Sequence, residues 1–437
     1  MLNKRNLIII VIIVLLVAFG LLVAQYGFKQ SPNQNKAEIV VWGLFDDSGD
    51  MRSLLEKFNV DYPNIKVNYY KKTVDTYEKD LLEALATGRG PDVFLIHNTW
   101  LPKHQDKLQP LPDGWMSLRE FQDNFVDVAY QDFVANGKIF SLPVWCDTMA
   151  LYWNKDFFNK ESIARPPLTW EEFSRDVELL TIRNEKGDIL RSGAAIGTAR
   201  NINRSSDILS LLMLQTGTKM VNTASNKATF NIAVKNNGQD YNSGEEALRF
   251  YTDFASAQKS VYTWNNARDY SIDSFVRGDV AMMFNYAYNL QLIKARSPHL
   301  NFAVAGMPQA ESASKKVNYA NYWSYGVSRA SQASQQSWIF TFWLSQKTNA
   351  KIYLDTFKRP AARRDLIEEQ KGDEELGVFA EQALTAQSWY QVDNSAIEQI
   401  FADMIDDVVL GRSVAKDAIE RAVSRVNLLM ENKKSGN

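Results

Sequence analysis

Apolar positions along this chain change period repeatedly, and the changes predict its elements. Residues 38–45 form a β-branched and aromatic run, which predicts a buried strand. Met51, Leu54, Leu55 and Phe58 then recur at helical spacing until Pro63, whose missing amide and bulky ring stop a helix. Ile65, Val67 and Tyr69 alternate as a second strand. Tyr77, Leu81 and Leu85 return to helical spacing up to the breaker Gly88, and residues 92–96 read as a third strand. Strands alternating with helices in this way predict a parallel sheet covered on both faces. Such sheets take ligands in the crevice beyond the carboxyl ends of their strands, so the residues after Phe45 and Ile96 matter most.

A second block opens after Pro143. Residues 149–154 read as a strand, and Thr169-Trp-Glu-Glu172 reads as a capping box, in which hydroxyl and carboxylate satisfy each other's free amides. Trp170, Phe173, Val177 and Leu180 continue that helix as a core stripe. Residues 222–243 are polar and read as irregular, and residues 280–284 and 302–305 read as strands. Trp338, Ile339, Phe342 and Trp343 share one helical face; Ala415, Ile419, Ala422, Val426 and Leu429 share another.

The N-terminal pattern is of a different kind. Residues 7–24 are apolar without interruption and follow Lys4 and Arg5. As a helix they would be about 27 Å long, enough to cross a bilayer's hydrocarbon core. Positive residues stay on the cytoplasmic side, so the body beyond residue 24 is expected outside the cytoplasm. Residues 1–28 are thus expected to be a single-pass anchor, the alternative being a signal segment cleaved to release a secreted body, and residues 29–37 a polar linker. The one cysteine, Cys146, lies far from this run, which excludes a lipid-bearing cysteine after it and any internal disulfide. Its expected state is a buried, inert thiol.

The 437 residues are enough for two domains beyond the anchor. A formal charge of −2 gives no field to draw nucleic acid, and none is expected as a partner. Eleven Trp and 18 Tyr exceed the need of a core, and the surplus points to a ligand site. Catalytic constellations are missing: there is no Gly-x-Ser-x-Gly elbow, no His-Glu-x-x-His, no phosphate-cradling loop and no dinucleotide fingerprint. Gly88-Arg-Gly90 is a helix stop. His97, His104 and His299 are too scattered to suggest a metal set. Asp46 and Asp47 could in principle do glycosidase work, but adjacent carboxylates read more simply as loop residues. No enzyme activity, cofactor or metal is expected.

Several segments resemble, in order, stations of the extracellular solute-binding proteins of the maltose-binding type, which serve ABC importers. Asp61-Tyr-Pro-Asn-Ile-Lys-Val67 resembles the family's second strand and Ala86-Thr-Gly-Arg-Gly-Pro-Asp-Val-Phe94 its third. Gly137-Lys-Ile-Phe-Ser-Leu-Pro143 with Leu151-Tyr-Trp-Asn154 resembles its first interlobe crossing. Thr169-Trp-Glu-Glu-Phe173, Ala228-Thr-Phe-Asn231 with Glu246-Ala-Leu-Arg-Phe250, and Phe275-Val-Arg-Gly-Asp-Val-Ala-Met-Met283 are similar to later stations. The resemblance implies an α/β, two-lobed periplasmic-binding-protein-like fold of type II, hinged around an interlobe cleft and preceded by the transmembrane helix. It places lobe one at 38–146 and 301–358 and lobe two at 147–300 and 359–437. Asn285-Tyr-Ala-Tyr288 and Asn321-Tyr-Trp-Ser324 depart from the family pattern by putting larger polar-aromatic groups near the cleft.

The same resemblance implies a monomeric receptor that closes on a carbohydrate and presents it to ABC permease subunits. Sugars offer apolar faces and a ring of hydroxyls, so aromatic and polar side chains at strand ends and crossings are the candidates. They are Trp42, Asp46, Asp47, Asn98 and Trp100, then Trp145, Asp147 and Thr148 on the crossing, and Trp264, Asn285 and Tyr286 from lobe two. Tyr322, Trp323 and Arg359 complete the set. A non-sugar ligand, a surface carbohydrate-processing enzyme and a signalling receptor remain the alternatives.

Overall fold

A computed structural model of the protein describes residues 36–435 except 237, 238 and 312. The apolar run at residues 7–24 lies outside the described residues; among those described, no helix is long and apolar enough to cross a membrane.

The chain begins with β1 (Ala37–Gly43), α1 (Arg52–Asp61), β2 (Ile65–Lys71), α2 (Tyr77–Ala86) and β3 (Val93–His97), in the expected order. Gly88 ends α2 in the left-handed region at φ +68°, the conformation that costs glycine least. After β4 (Leu108–Gln109) and β5 (Ser141–Leu142), the second block supplies β6 (Ala150–Asn154), α3 (Trp170–Leu180), β7 (Ile182–Arg183), β8 (Ile189–Ala194) and α4 (Ser205–Gln215). Then come β9 (Val280–Asn285), β10 (Phe302–Ala305), β11 (Trp323–Ser328), α5 (Ser334–Ser345), α6 (Lys347–Phe357), α7 (Asn394–Val409) and α8 (Ala415–Ser435).

Two sheets result. The first has the order β2-β1-β3-β11-β4, with β5 also paired to β11; β1 is parallel to β2 and β3, and β11 runs antiparallel to its neighbours. The second has the order β10-β6-β9-β8-β7, in which β8 and β9 are parallel and β6 is antiparallel to β9 and β10. Each sheet carries its own apolar core. In the first, Phe58 of α1 meets Phe340 and Trp343 of α5 edge to face, both at 5.1 Å between ring centres, which docks the early helix onto a much later one. Trp338 and Trp343 are buried in this core with Ile339 and Phe342 packed against it. Ala415, Ile419, Ala422 and Val426 of α8 enter the second core.

Four sequence expectations change. Phe302–Ala305, expected in lobe one, pairs with β6 and belongs to the second sheet, and Met307 and Tyr319 pack in the second core, so the chain stays with that sheet to about residue 319. Ala361, Ala362, Leu366, Ile367, Ala380 and Ala383, expected in lobe two, pack in the first core. The region 222–243 contains short hairpins, Val221–Asn222 with Lys227–Ala228 and Val234–Asn236 with Gln239–Tyr241. The box at Thr169 is half formed: its hydroxyl accepts from the Glu172 amide, but the Glu172 carboxylate goes to the Leu168 amide and to Arg165. Arginine offers that carboxylate a two-pronged ion pair, which a lone amide does not match. A complete box forms instead at Ser117 and Glu120, ahead of a short helix.

Candidate functional site

Three chain segments run side by side where the two lobes meet. The central one, residues 144–149, receives the Ala362 amide at Val144 and donates from Cys146 to the Pro360 carbonyl on one flank. On the other flank Met149 donates to Tyr319, and Asn321 donates to Asp147. Cys146 lies inside this ribbon, and burial pushes its thiol well up, so it stays protonated and unreactive.

A cavity of about 340 Å³ opens where strand ends meet these segments. Leu44 and Phe45 follow β1, Lys71 ends β2, and Ala287 and Tyr288 follow β9; Trp145 and Asp147 come from the central segment and Arg359 from the first-lobe segment beside it. This is the crevice beyond the strand carboxyl ends that the βαβ pattern predicts. The loop after β1 turns into it because Gly43 lets Tyr69 approach closely, and the Tyr69 hydroxyl then donates to the Asp46 carbonyl at 2.9 Å.

Arg359 organises the cavity. Its guanidinium lies 5.4 Å from the Phe45 ring centre and 5.0 Å from that of Trp145, and it pairs with Asp46 at 2.6 Å. Trp145 stacks in turn on Tyr353, whose hydroxyl donates to the other Asp46 oxygen. A largely buried cation close to two aromatic rings, paired with a buried carboxylate, fixes the cavity wall. Asp147 is used differently: its two oxygens accept from the Ala287 amide at 3.0 Å and the Tyr288 amide at 3.1 Å. It therefore ties the central segment to the turn that presents Tyr288. Burial pushes the Asp147 carboxyl up to about 7, against the pull of those amides.

Beside the cavity the lobes meet through polar groups. The His97 ring bonds Thr99 and, at 3.0 Å, Asn321, whose amide donates to Asp207 of lobe two at 3.1 Å. Burial pushes His97 down to about 4, so it is neutral here. Burial pushes the Asp207 carboxyl up, opposed first by the charge of Arg204. Lys103 pairs with Asp393 at 2.8 Å, and Trp100 donates to Asn394 at 2.9 Å. A second cavity, about 1200 Å³, lies between residues 98–107 and 131–140 of the first lobe and residues 389–393.

Of the sequence candidates, Trp145, Asp147 and Arg359 line the smaller cavity, with Asp46 directly behind Arg359. Trp323 sits near it, edge-on to Phe45 at 6.1 Å and to His97 and Trp100 at 5.0 Å. Asp47 is exposed and pairs with Lys71, also on the rim. Trp42 is buried in the first core beneath the Lys72 ammonium, 3.8 Å from its ring centre. Asn98 lines the larger cavity, and both it and Tyr322 donate to the buried Asp132. Thr148 donates to the Phe379 carbonyl. Asn285 and Tyr286 are fully buried, Tyr286 bonded to Asp207, and Trp264 is inside the second core. The structure places these last three behind the cleft surface. Tyr288, Phe45, Lys71 and Lys358 line the cavity without having been singled out. Tyr288 stood in the quoted Asn285-Tyr-Ala-Tyr288 segment; β9 ends at Asn285 and the turn sends Tyr286 inward and leaves Tyr288 44 % exposed.

The comparisons with known proteins agree with one another. A profile of the family described as bacterial extracellular solute-binding protein matches residues 53–377. A binding protein of Brucella abortus is 25% identical over 303 residues, covering 66% of this chain and 67% of its own length. The multiple sugar-binding protein of Streptococcus mutans is 21% identical over 350 residues, 78% of this chain and 80% of its own. Among solved structures, the sugar-binding protein MalE of Xanthomonas citri superposes with a TM-score of 0.74 at 19% identity, covering 91% of this chain and 98% of that one. That likeness is one of fold, two lobes of mixed α/β content.

Proposed function

This chain belongs to the bacterial extracellular solute-binding proteins, and from that premise we propose that it binds a carbohydrate between its lobes and delivers it to the permease subunits of an ABC importer. Sugar binding is what the names of the Streptococcus and Xanthomonas proteins state. The observation that carries the reading here is the cavity at the hinge, where the exposed ring of Tyr288 and the ring of Phe45 stand beside the donors of Arg359 and Lys71. Aromatic faces suit the C–H faces of a pyranose, and charged donors suit its oxygens. The hydrogen-bonded crossings act as the hinge, and closure buries the sugar without any bond chemistry. In this reading residues 7–24 tether a monomeric receptor outside the cytoplasm.

Titration of the protein with mono- and oligosaccharides, read by thermal shift and calorimetry, tests the proposal. A bound sugar at 100 times its Kd stabilises the protein by about 2.7 kcal/mol. Tyr288→Ala, which removes an exposed ring, is expected to weaken that sugar about tenfold. A panel of sugars that leaves the melting temperature unmoved, while a non-sugar solute raises it, refutes the reading.

A further inference from the structure

The charged groups of the smaller cavity are unequally engaged, while Tyr288 and Gln291 add neutral oxygens to its lining. Each oxygen of its carboxylates already holds one protein donor: both Asp147 oxygens accept backbone amides, and the two oxygens of the buried Asp46 behind Arg359 accept from Arg359 and Tyr353. Two of its cations, Arg359 and Lys71, are paired as well, yet each keeps N–H donors beyond those it uses. Arginine carries five N–H donors, and the side-chain partner of Arg359 among the described residues is Asp46 alone. Lys71 gives one contact to Asp47, which leaves two N–H groups, and Lys358 has no ion-pair partner among the described residues. Lys358 is also exposed on the rim, on a residue in the left-handed region at φ +50°.

A neutral sugar asks a site for donors and acceptors in similar number, because each hydroxyl does both. A carboxylate or phosphate asks for donors only, and the strongest are cationic. Resting on the carbohydrate reading above, we infer that the site selects an anionic sugar, a mono- or disaccharide bearing a carboxylate or phosphate ester, with Lys71, Lys358 and Arg359 as the anion's donors. The volume of about 340 Å³ is near the lower end for small-molecule sites, which suits one or two rings.

The test is calorimetric titration of the full-length protein in mild detergent with glucuronate, galacturonate, glucose 6-phosphate and the neutral parent hexoses, and with the matching disaccharides. An acidic sugar is expected to bind about tenfold or more tightly than its neutral parent, with an advantage that shrinks as salt is raised. Preference for the uronate or for the phosphate ester identifies the anion. Lys71→Gln and Lys358→Gln remove partly or fully exposed ammonium groups, and each is expected to cut the acidic-to-neutral ratio about threefold or more while circular dichroism stays unchanged. Neutral hexoses binding as tightly as the acidic ones overturn the inference and leave the carbohydrate reading standing, as does a ratio unmoved in both variants. Silence from every sugar, neutral and acidic, removes the carbohydrate reading and this inference with it.

Discussion

Arg359→Ala is expected to be among the costliest single substitutions near the hinge. Asp46 is 2 % exposed, and its ion pair with Arg359 is 2.6 Å long. Removing the guanidinium leaves a buried carboxylate with the Tyr353 hydroxyl as its remaining side-chain donor, and breaking a buried pair from one side costs about 3–5 kcal/mol. Contacts with Phe45 and Trp145 are lost as well, adding about 1 kcal/mol. Removing both charges is a different perturbation: in Asp46→Asn with Arg359→Met nothing charged is stranded, so the double variant should recover most of the loss. Urea unfolding followed by tryptophan fluorescence measures this, with unchanged slopes showing that the same surface unfolds. A cost below about 1 kcal/mol for Arg359→Ala, or a double variant less stable than the single one, would refute the argument that the pair is desolvated and mutually dependent.

Three further outcomes follow from the same structure. Burial pushes Asp132 and Asp147 up to about 7 from a usual carboxylate value near 4, so between these pH values the folded state holds protons that the unfolded state has lost. The contribution of these two carboxyls to stability should therefore fall as pH rises from about 4 to about 7, while His97, held down to about 4 from 6.5, works in the opposite direction over part of that range; Asp132→Asn should make urea midpoints fall less with pH than in the unsubstituted protein, and an unchanged profile counts against the assignment. Gly43→Ala should destabilise by about 1–3 kcal/mol, since a Cβ there meets the Tyr69 ring, and Tyr69→Phe, which clears the hydroxyl, should recover part of it in the same assay. Phe58→Ala should cost about 3–5 kcal/mol by opening a cavity between α1 and α5, and a loss under about 1 kcal/mol would show that the helices collapse onto the gap.

The elements of the first lobe were legible because each is a local pattern. The helix at Tyr77 and the stop at Gly88 need only a few neighbours to specify them, and they stand where expected. Thr169 shows the limit of such reasoning: its hydroxyl caps the helix as predicted, yet Arg165, outside the four-residue motif, captures the Glu172 carboxylate. Residues 302–305 read correctly as a strand, but which sheet they join depends on pairing with β6, about 150 positions earlier. Among the candidate ligand residues, chemistry type was legible and direction was not. Trp264 and Tyr286 have the right side chains for a sugar site and face the core.

What the sequence by itself determined is the family and the two-lobed α/β plan, together with the presence of Trp145 and Asp147 at the cavity and the expectation that the apolar run at residues 7–24 sends the body outside the cytoplasm. Periodicity, breakers and ordered motifs act over a few residues, so they survive without coordinates. What only the tertiary structure decided is which groups of the cleft are still free to bind. Asp46 is consumed by Arg359 and Tyr353, and Asp147 by the amides that hold Tyr288 in place. Those partners are separated by about 140 to 310 positions in the chain. Only the fold brings them within hydrogen-bonding distance, and so only the fold shows a cavity left with donors to spare.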